Sequence, residues 1–301
     1  MSIEVRGLTK LYGEQKAVND ISFSITGGEI VGFLGPNGAG KSTTMKIITG
    51  YLQPDDGEAY VCGLSVKQQP LNTKKKTGYL PEANPLYYEM YVREYLDFIA
   101  EVHQVEKRKL RIEEVISTVG LTIESRKKIG QLSKGYKQRV GLAASLIHEP
   151  EVLILDEPTT GLDPNQILEI REVIKNLGQE KTILFSSHIL QEVEAICDRV
   201  IIINKGQLVA DDRLSKLQQK NQQQQFVSVH FKEPVSIEWM QQLTEVVKTE
   251  MVQPSQFRIY TQSPELVKKQ LLHHSLQDNL NILSLQSGEQ SLEEVFRELT
   301  K

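Results

Sequence analysis

Residues 35–43 decide the fold, and they are Gly35-Pro36-Asn37-Gly38-Ala39-Gly40-Lys41-Ser42-Thr43. The run fits the pattern G-x-x-x-x-G-K-[ST] of a phosphate-binding loop. Its glycines let the backbone curl so that successive amides point inward and form a concave cradle for the β- and γ-phosphates of a nucleotide. Lys41 adds a point charge on the phosphates, and the Ser42 hydroxyl can ligate Mg²⁺. The stretch therefore predicts a nucleoside triphosphate site.

The segments around this loop favour an α/β fold with a mainly parallel sheet. Residues 30–34 form an apolar run typical of a buried strand, and residues 42–49 are predicted to be a helix whose positive N-terminus faces the anion. Strand-like segments at 3–8, 17–25 and 58–61 predict a small antiparallel layer added to the main sheet.

Length and composition describe a globular protein with a substantial core. The chain has 301 residues, of which 39% are hydrophobic and 25% charged. Its longest apolar runs, such as Val152 to Leu155, are far shorter than the ~20 residues of a membrane helix. No secretory signal is visible, so we expect a cytosolic protein. The net charge of −4 gives no attraction to nucleic acid, and no nucleic-acid partner is expected.

The rest of the chain divides into three predicted parts. Residues 84–148 form an all-helical insertion, because apolar residues recur at three- and four-residue steps in runs at 90–105, 110–119 and 136–147. Strand and helix patterns alternate again from 152 to 210. Residues 218–225 are polar and rich in glutamine, which predicts a linker between a nucleotide-binding domain over 1–217 and an accessory domain over 226–301.

The accessory domain is predicted to be a small α+β unit. Its pattern gives strands at 226–231, 256–261 and 281–285 and helices at 237–247, 264–272 and 292–299. This order suits a ferredoxin-like arrangement.

An acidic pair provides the second chemical signal. Asp156 and Glu157 end the buried strand that starts at Val152, where ligands bind in folds of this class. Asp156 can orient Mg²⁺, and Glu157 can polarise an attacking water as a general base. An acidic pair at an ordinary turn is the alternative, and the phosphate-binding loop in the same chain argues against it.

A second anion site is predicted where the helical run at 136–147 begins. Ser133 is an N-cap candidate, and Gly135 permits close approach of another backbone. Seen alone, this segment would be interpreted as a merely capped helix.

Together these segments resemble the ATP-binding cassette of ABC transporters. The resemblance rests on the loop at Gly35, Leu132-Ser133-x-Gly135, Asp156-Glu157, Gly161-Leu162-Asp163 and Ser186-Ser187-His188, in that order and with these intervals. It covers residues 1 to about 217, and the whole chain resembles the ATPase subunit of an ABC-2 type exporter. Within that group it is most similar to the ATP-binding subunit associated with bacterial gliding motility, through residues 78–86 and 91–95.

The resemblance implies a role for each matching residue. Tyr12 matches the aromatic side chain that stacks on the adenine of ATP. His188 matches the histidine that contacts the γ-phosphate and helps to hold the attacking water. Asp163 matches a residue that communicates across a dimer, and it can also cap the next helix. Lys41 and Glu157 would be catalytic with His188.

The resemblance also implies partners. Cassettes of this family work as head-to-tail dimers, in which Ser133 and Gly135 of one subunit close over ATP held by Lys41 of the other. The second subunit would be the same chain or a related one. A separate membrane permease would dock through residues 79–92, which places the protein on the cytosolic face of the cell membrane and makes it part of an exporter.

Two departures from the family pattern matter. Glu82 stands where most cassettes carry glutamine; a carboxylate there can join Ser42 and Asp156 as a Mg²⁺ ligand but should repel bare phosphate, which predicts a stronger dependence on Mg²⁺. Lys134 and Tyr136 stand where the family more often has Gly and Gln. We expect function to survive these two changes, because Ser133 and Gly135 supply the closest phosphate contacts.

Two other functions compete with this one. A soluble ABC-type ATPase acting on ribosomes or nucleic acid usually carries two cassettes or long coiled coils, and this sequence has one cassette and no sustained heptads. A nucleotide-gated binding module without catalysis would not need Glu157 and His188.

Overall fold

The computed structural model describes residues 1–216 and 225–289, together with Glu293, Phe296 and Thr300. The chain divides into two units, the first built on Met1–Leu214 and the second on Ser215–Leu299. The predicted linker, apart from Gln225, and most of the predicted helix over 292–299 lie outside the described residues. In the described part of the chain, no helix is long and apolar enough to cross a lipid bilayer.

The first unit contains the predicted strands and helices in their predicted order, together with two strands and a helix over residues 64–80 that the sequence pattern did not predict. Its elements are β1 (Ile3–Tyr12), β2 (Gln15–Ile25), β3 (Ile30–Leu34), α1 (Lys41–Ile48), β4 (Asp56–Val61), β5 (Leu64–Ser65), α2 (Pro70–Lys76), β6 (Thr77–Leu80), α3 (Val92–Val102), α4 (Arg108–Thr118), α5 (Lys134–Leu146), β7 (Val152–Asp156), α6 (Pro164–Leu177), β8 (Thr182–Ser187), α7 (Leu190–Ile196), β9 (Arg199–Asn204) and β10 (Gln207–Arg213).

The main sheet has six strands in the order β10-β9-β3-β8-β7-β6. All neighbouring pairs are parallel except β10 with β9. Every residue of β3, β7 and β8 is buried, which explains why these strands are nearly continuous apolar runs. Because parallel strands end at the same edge of a sheet, the loops that follow β3, β7 and β8 meet there. This edge carries the phosphate-binding loop, the acidic pair and His188.

The predicted antiparallel layer is present as a sheet of its own. Its strand order is β2-β1-β4-β5, and it shares one hydrophobic core with β3, α1 and β7. Ile3, Phe23 and Phe33 are among the buried side chains that join the two sheets through this core. The phosphate-binding loop and α1 are therefore held between two layers.

The all-helical insertion is also present. Helices α3, α4 and α5 occupy the three predicted runs, and their ends differ from the predicted ones by three residues at most. Ser133 caps α5 and Asp163 caps α6 through their side chains, as the sequence indicates for both.

In its described residues, the second unit is a four-stranded antiparallel sheet with one long helix. Its elements are β11 (Gln225–Phe231), a 3₁₀ helix (Ile237–Gln242), β12 (Val246–Gln253), β13 (Gln256–Thr261), α8 (Pro264–Gln277) and β14 (Ile282–Glu289). The order β12-β13-β11-β14 means that both helical connections skip a strand, which is the split βαβ pattern of ferredoxin-like domains. Val229, Phe257 and Leu271 belong to its core.

The predicted helix over 237–247 is wrong. The structure has a 3₁₀ helix that ends at Gln242, and strand β12 then begins at Val246. Apolar residues at 237, 240 and 243 have helical spacing, which misled the sequence pattern. Glu245 has a φ of 60°, which breaks the helical path, and the β-branched residues that follow it favour a strand.

Candidate active site

The phosphate-binding loop lines a cavity of about 410 Å³ at the edge of the main sheet. Residues 36–43 form one wall, and the other walls come from distant parts of the chain. Those other residues are Ala17, Glu82, Glu157, Thr160 and His188. The structure thus brings most of the predicted catalytic and phosphate-binding residues together.

Gly40 fixes the shape of the loop. Its φ is 115°, a conformation that side chains disfavour, and a Cβ atom there would lie only 2.5 Å from the carbonyl oxygen of Ala17. Helix α1 begins at the next residue without a side-chain cap. The first-turn amides of α1 therefore lack intrahelical acceptors and are available to an anion, which fits the phosphates of a nucleotide.

Lys41 is buried beneath the loop. Its Nζ donates to the carbonyl oxygen of Gly35 at 2.7 Å and lies 3.6 Å from Glu157 Oε1. The side chain is only 7% exposed, so this charge acts where water screens it weakly. The ammonium group is held between the loop and the acidic pair.

Asp156 ends β7 and is almost completely buried. Its Oδ1 accepts hydrogen bonds from Ser42 Oγ at 3.1 Å and from Ser186 Oγ at 2.7 Å. A hydroxyl beside a carboxylate is an oxygen donor set that suits Mg²⁺, which is usually bound by one or two carboxylates together with substrate phosphates. Glu82 lines the same cavity with an exposed side chain. These residues fit a Mg²⁺-nucleotide.

Glu157 is held in a strained position next to His188. Its φ is 51°, a left-handed conformation that is uncommon outside glycine and costs about 1–3 kcal/mol. Its amide donates to Ser186 Oγ at 2.9 Å, and its Oε2 accepts from Thr160 Oγ1 at 3.2 Å. Nδ1 of His188 lies 2.7 Å from the same Oε2. Since a carboxylate only accepts, His188 donates from Nδ1 and keeps Nε2 for another partner.

The remaining predicted site residues lie away from this cavity. Tyr12 ends β1 and is 52% exposed. Ser133 Oγ accepts from the amide of Tyr136, and Asp163 accepts from the amide of Gln166 at 3.0 Å. A Cβ at Gly135 would clash with the carboxamide of Gln166, so the starts of α5 and α6 pack closely. In this chain, Ser133, Gly135 and Asp163 therefore form a group separate from the phosphate-binding loop.

Sequence reasoning assigned no role to several side chains that support the site. Four of them carry hydroxyl groups beside the acidic pair and His188, namely Thr159, Thr160, Ser186 and Ser187. The fifth is the buried carboxylate of Glu192. Glu192 could have been noticed, because it falls at helical spacing among apolar residues of α7. The contacts of Ser186 with Glu157 and of Thr159 with Glu192 join residues 29 and 33 positions apart in the sequence, so they leave no such signal.

Comparison with known sequences gives close relatives over almost the whole chain. A sequence model of the family described as ABC transporter matches residues 18–160. The bacitracin transport ATP-binding protein BcrA of Bacillus licheniformis is 34% identical over 300 residues, which cover 99% of this chain and 96% of that protein. The linearmycin resistance ATP-binding protein LnrL of Bacillus subtilis (strain 168) is 35% identical over 306 residues, covering 99% and 98%.

Solved structures show the same likeness for the larger part of the chain. The ATP-binding subunit of an ABC transporter superposes with a TM-score of 0.67 at 30% identity, covering 73% of this chain and 93% of that one. A dimeric bacterial ABC transporter cassette gives a TM-score of 0.65 at 26% identity, covering 70% and 98%.

Proposed function

This chain belongs to the family of ABC transporter ATP-binding proteins, and we propose that it hydrolyses ATP with Lys41, Glu157 and His188 to drive a separate membrane permease. It is the ATP-binding and ATP-hydrolysing subunit of a transporter, and the two relatives named above are likewise described as ATP-binding proteins. The observation that carries the assignment of the catalytic residues is the 2.7 Å contact between His188 Nδ1 and Glu157 Oε2 beside the buried Lys41.

The residues divide the chemistry among themselves. The amides of residues 36–43 and the Lys41 ammonium hold the phosphates. Glu157 accepts a proton from the attacking water, and the hydrogen bond from His188 orients its carboxylate. Ser42, Asp156 and Glu82 would hold Mg²⁺, which when bound neutralises charge on the phosphate oxygens.

The group of Ser133, Gly135 and Asp163 is proposed to serve a second subunit. These residues lie apart from the loop of their own chain, while a similar cassette has been solved as a dimer. We place them over ATP held by the loop of a partner copy or related chain, with Tyr12 stacked on the adenine. Residues 1–217 are then the cassette, 218–225 a linker and 226–301 an accessory domain.

The membrane partner is proposed to be an exporter permease, with this chain on the cytosolic face of the membrane. Two relatives are named for bacitracin transport and linearmycin resistance, and another for Nod factor export. These names favour outward transport and disfavour an ATPase that acts on ribosomes or nucleic acid. The narrower likeness to a gliding-motility subunit has no support among the relatives named here and stays a prediction.

Purification of the protein from membranes tests whether its partner is a membrane permease. The tagged full-length chain is extracted in mild detergent, and the proteins that co-purify with it are identified by mass spectrometry. We expect an integral membrane protein with several spans, together with ATP-dependent phosphate release. Recovery of ribosomal proteins alone would contradict the transporter assignment.

A further inference from the structure

A fully buried carboxylate lies behind the Glu157–His188 pair. Glu192, in the first turn of α7, has no exposed surface. Its Oε2 accepts hydrogen bonds from Thr159 Oγ1 and Ser187 Oγ, each at 2.7 Å. In the part of the chain that the structure describes, its Oε1 has no hydrogen-bond partner. A glutamate is almost never fully buried without a cation, because taking the carboxylate out of water costs several kcal/mol.

The two hydroxyls belong to the two loops that carry the catalytic groups. Thr159 lies in the loop after β7, and its neighbour Thr160 donates to Glu157 Oε2. Ser187 ends β8 and directly precedes His188. One carboxylate thus connects the loop of the general base with the loop of the histidine.

This connection is dry and geometrically fixed. Thr159 is 2% exposed and Ser187 is fully buried. Ser187 Oγ also accepts the amide of Ile189 at 3.0 Å, which fixes the path of the chain on the far side of His188. Hydrogen bonds in such surroundings are strong, and losing one leaves a buried polar group without a partner.

This connection can explain how the strained backbone conformation of Glu157 is maintained. A residue with a φ of 51° keeps that conformation only when its surroundings enforce it. Glu192 is absent from the cavity lining, so it acts only through Thr159 and Ser187. A buried carboxylate that lies outside the cavity and accepts hydrogen bonds from both catalytic loops is best explained by the loop geometry that it maintains.

We propose that Glu192 is a positioning residue for ATP hydrolysis. Its carboxylate holds Thr159 and Ser187, and this keeps Glu157 and His188 in hydrogen-bonding contact at the cavity. The proposal rests on the proposed function. It requires one oxygen that accepts two hydrogen bonds, and it does not require a negative charge. Glutamine can supply that oxygen, whereas leucine has a similar volume and no acceptor.

The test compares Glu192→Leu with Glu192→Gln in the full-length chain. Steady-state phosphate release, ATP affinity by calorimetry and thermal unfolding are measured for both. A small misplacement of catalytic groups can lower a rate by about a hundredfold. We expect Glu192→Leu to lower kcat at least about tenfold and to change KM and ATP affinity less than about threefold. Glu192→Gln should stay within about threefold of wild-type kcat.

Controls separate positioning from folding. Glu194→Leu changes an exposed glutamate of the same helix and should behave as wild type. If Glu192→Leu does not fold, the variants Thr159→Val and Ser187→Ala replace it, and each should lower kcat with unchanged ATP affinity. Wild-type kcat in Glu192→Leu or in both hydroxyl variants would overturn the proposal, and so would a kcat of Glu192→Gln as low as that of Glu192→Leu. A wild-type chain without turnover would instead refute the proposed function.

Discussion

The two units of this chain use their interiors differently. In the first unit, Lys41, Asp156, Glu157 and Glu192 are all buried, and Glu157 also has a strained backbone. In the described part of the second unit, the buried polar side chains are Thr261 and Ser275, neither of which is charged. Buried charge costs stability, so it persists where chemistry needs it. The first unit thus keeps buried charge at its catalytic sheet edge, whereas the buried polar groups in the described part of the second unit are uncharged hydroxyls.

The largest expected effect comes from Lys41→Ala. Loss of the buried ammonium removes the charge beneath the phosphates, and we expect turnover to fall about a hundredfold or more, with weaker ATP binding. Phosphate release and calorimetry measure the two effects. Lys46→Ala, on the exposed side of the same helix, should change neither. Turnover close to wild type in Lys41→Ala would contradict the assigned site.

A core substitution in the second unit should show the opposite pattern. Phe257 is fully buried, and Phe257→Ala should destabilise that unit by about 3–5 kcal/mol. Turnover under native conditions should stay within about threefold of wild type, because no site residue is touched. Denaturant unfolding gives the first quantity, with Leu283→Ala, 58% exposed, as a control that changes stability by less than about 0.5 kcal/mol. A loss of turnover as large as that of Lys41→Ala would contradict the view that only the first unit contributes to catalysis.

His148 is a buried titratable residue of the first unit that lies outside the active site, and it should make the stability of this unit depend on pH. Burial lowers the pKa of His148 to about 4. Its Nε2 donates to the carbonyl oxygen of Thr77 at 3.1 Å, while its Nδ1 is buried with no partner for a second proton among the described residues. The ring also stacks on His103, with centroids 4.0 Å apart. The folded state therefore favours the neutral form of the His148 ring over the protonated form.

The sign of the pH dependence follows from this depressed pKa. An unfolded histidine binds a proton below about pH 6.5, while folded His148 stays neutral until about pH 4. Stability is thus fully present above pH 6.5 and is lost as the pH falls towards 4. Between pH 7 and 5, wild type should lose about 2 kcal/mol more than His148→Gln in urea unfolding. Equal losses would contradict this, and His273→Gln, which changes an exposed histidine, should follow wild type.

The smallest expected effect concerns Glu82. Glu82 and Ser42 both line the cavity, and a carboxylate there should attract Mg²⁺ and repel bare phosphate. Glu82→Gln should weaken the dependence of ATP binding and turnover on Mg²⁺ concentration by a few-fold, which titration with Mg²⁺ at fixed ATP measures. An unchanged Mg²⁺ dependence would remove Glu82 from the proposed ligands.

How much the sequence predicts differs between the units for physical reasons. The loop at 35–43, the acidic pair and the buried strands are local patterns with fixed spacing, and the structure has them where the sequence places them. The contacts of Ser186 with Asp156 and of Thr159 with Glu192 depend on which strands become neighbours, so they could not be predicted. In the second unit, the helical spacing of apolar residues at 237–243 led to a predicted helix that runs to 247, although strand β12 already begins at Val246.

Glu157→Gln gives the most direct test of the catalytic assignment. The variant keeps the size of the side chain and removes its capacity to accept a proton from water. ATP affinity and phosphate release are measured on the same sample, and its mass in ATP is followed by light scattering. We expect ATP affinity within about threefold of wild type, turnover lowered about a hundredfold or more, and a dimer that persists in ATP. Normal turnover in this variant would show that Glu157 is not the base.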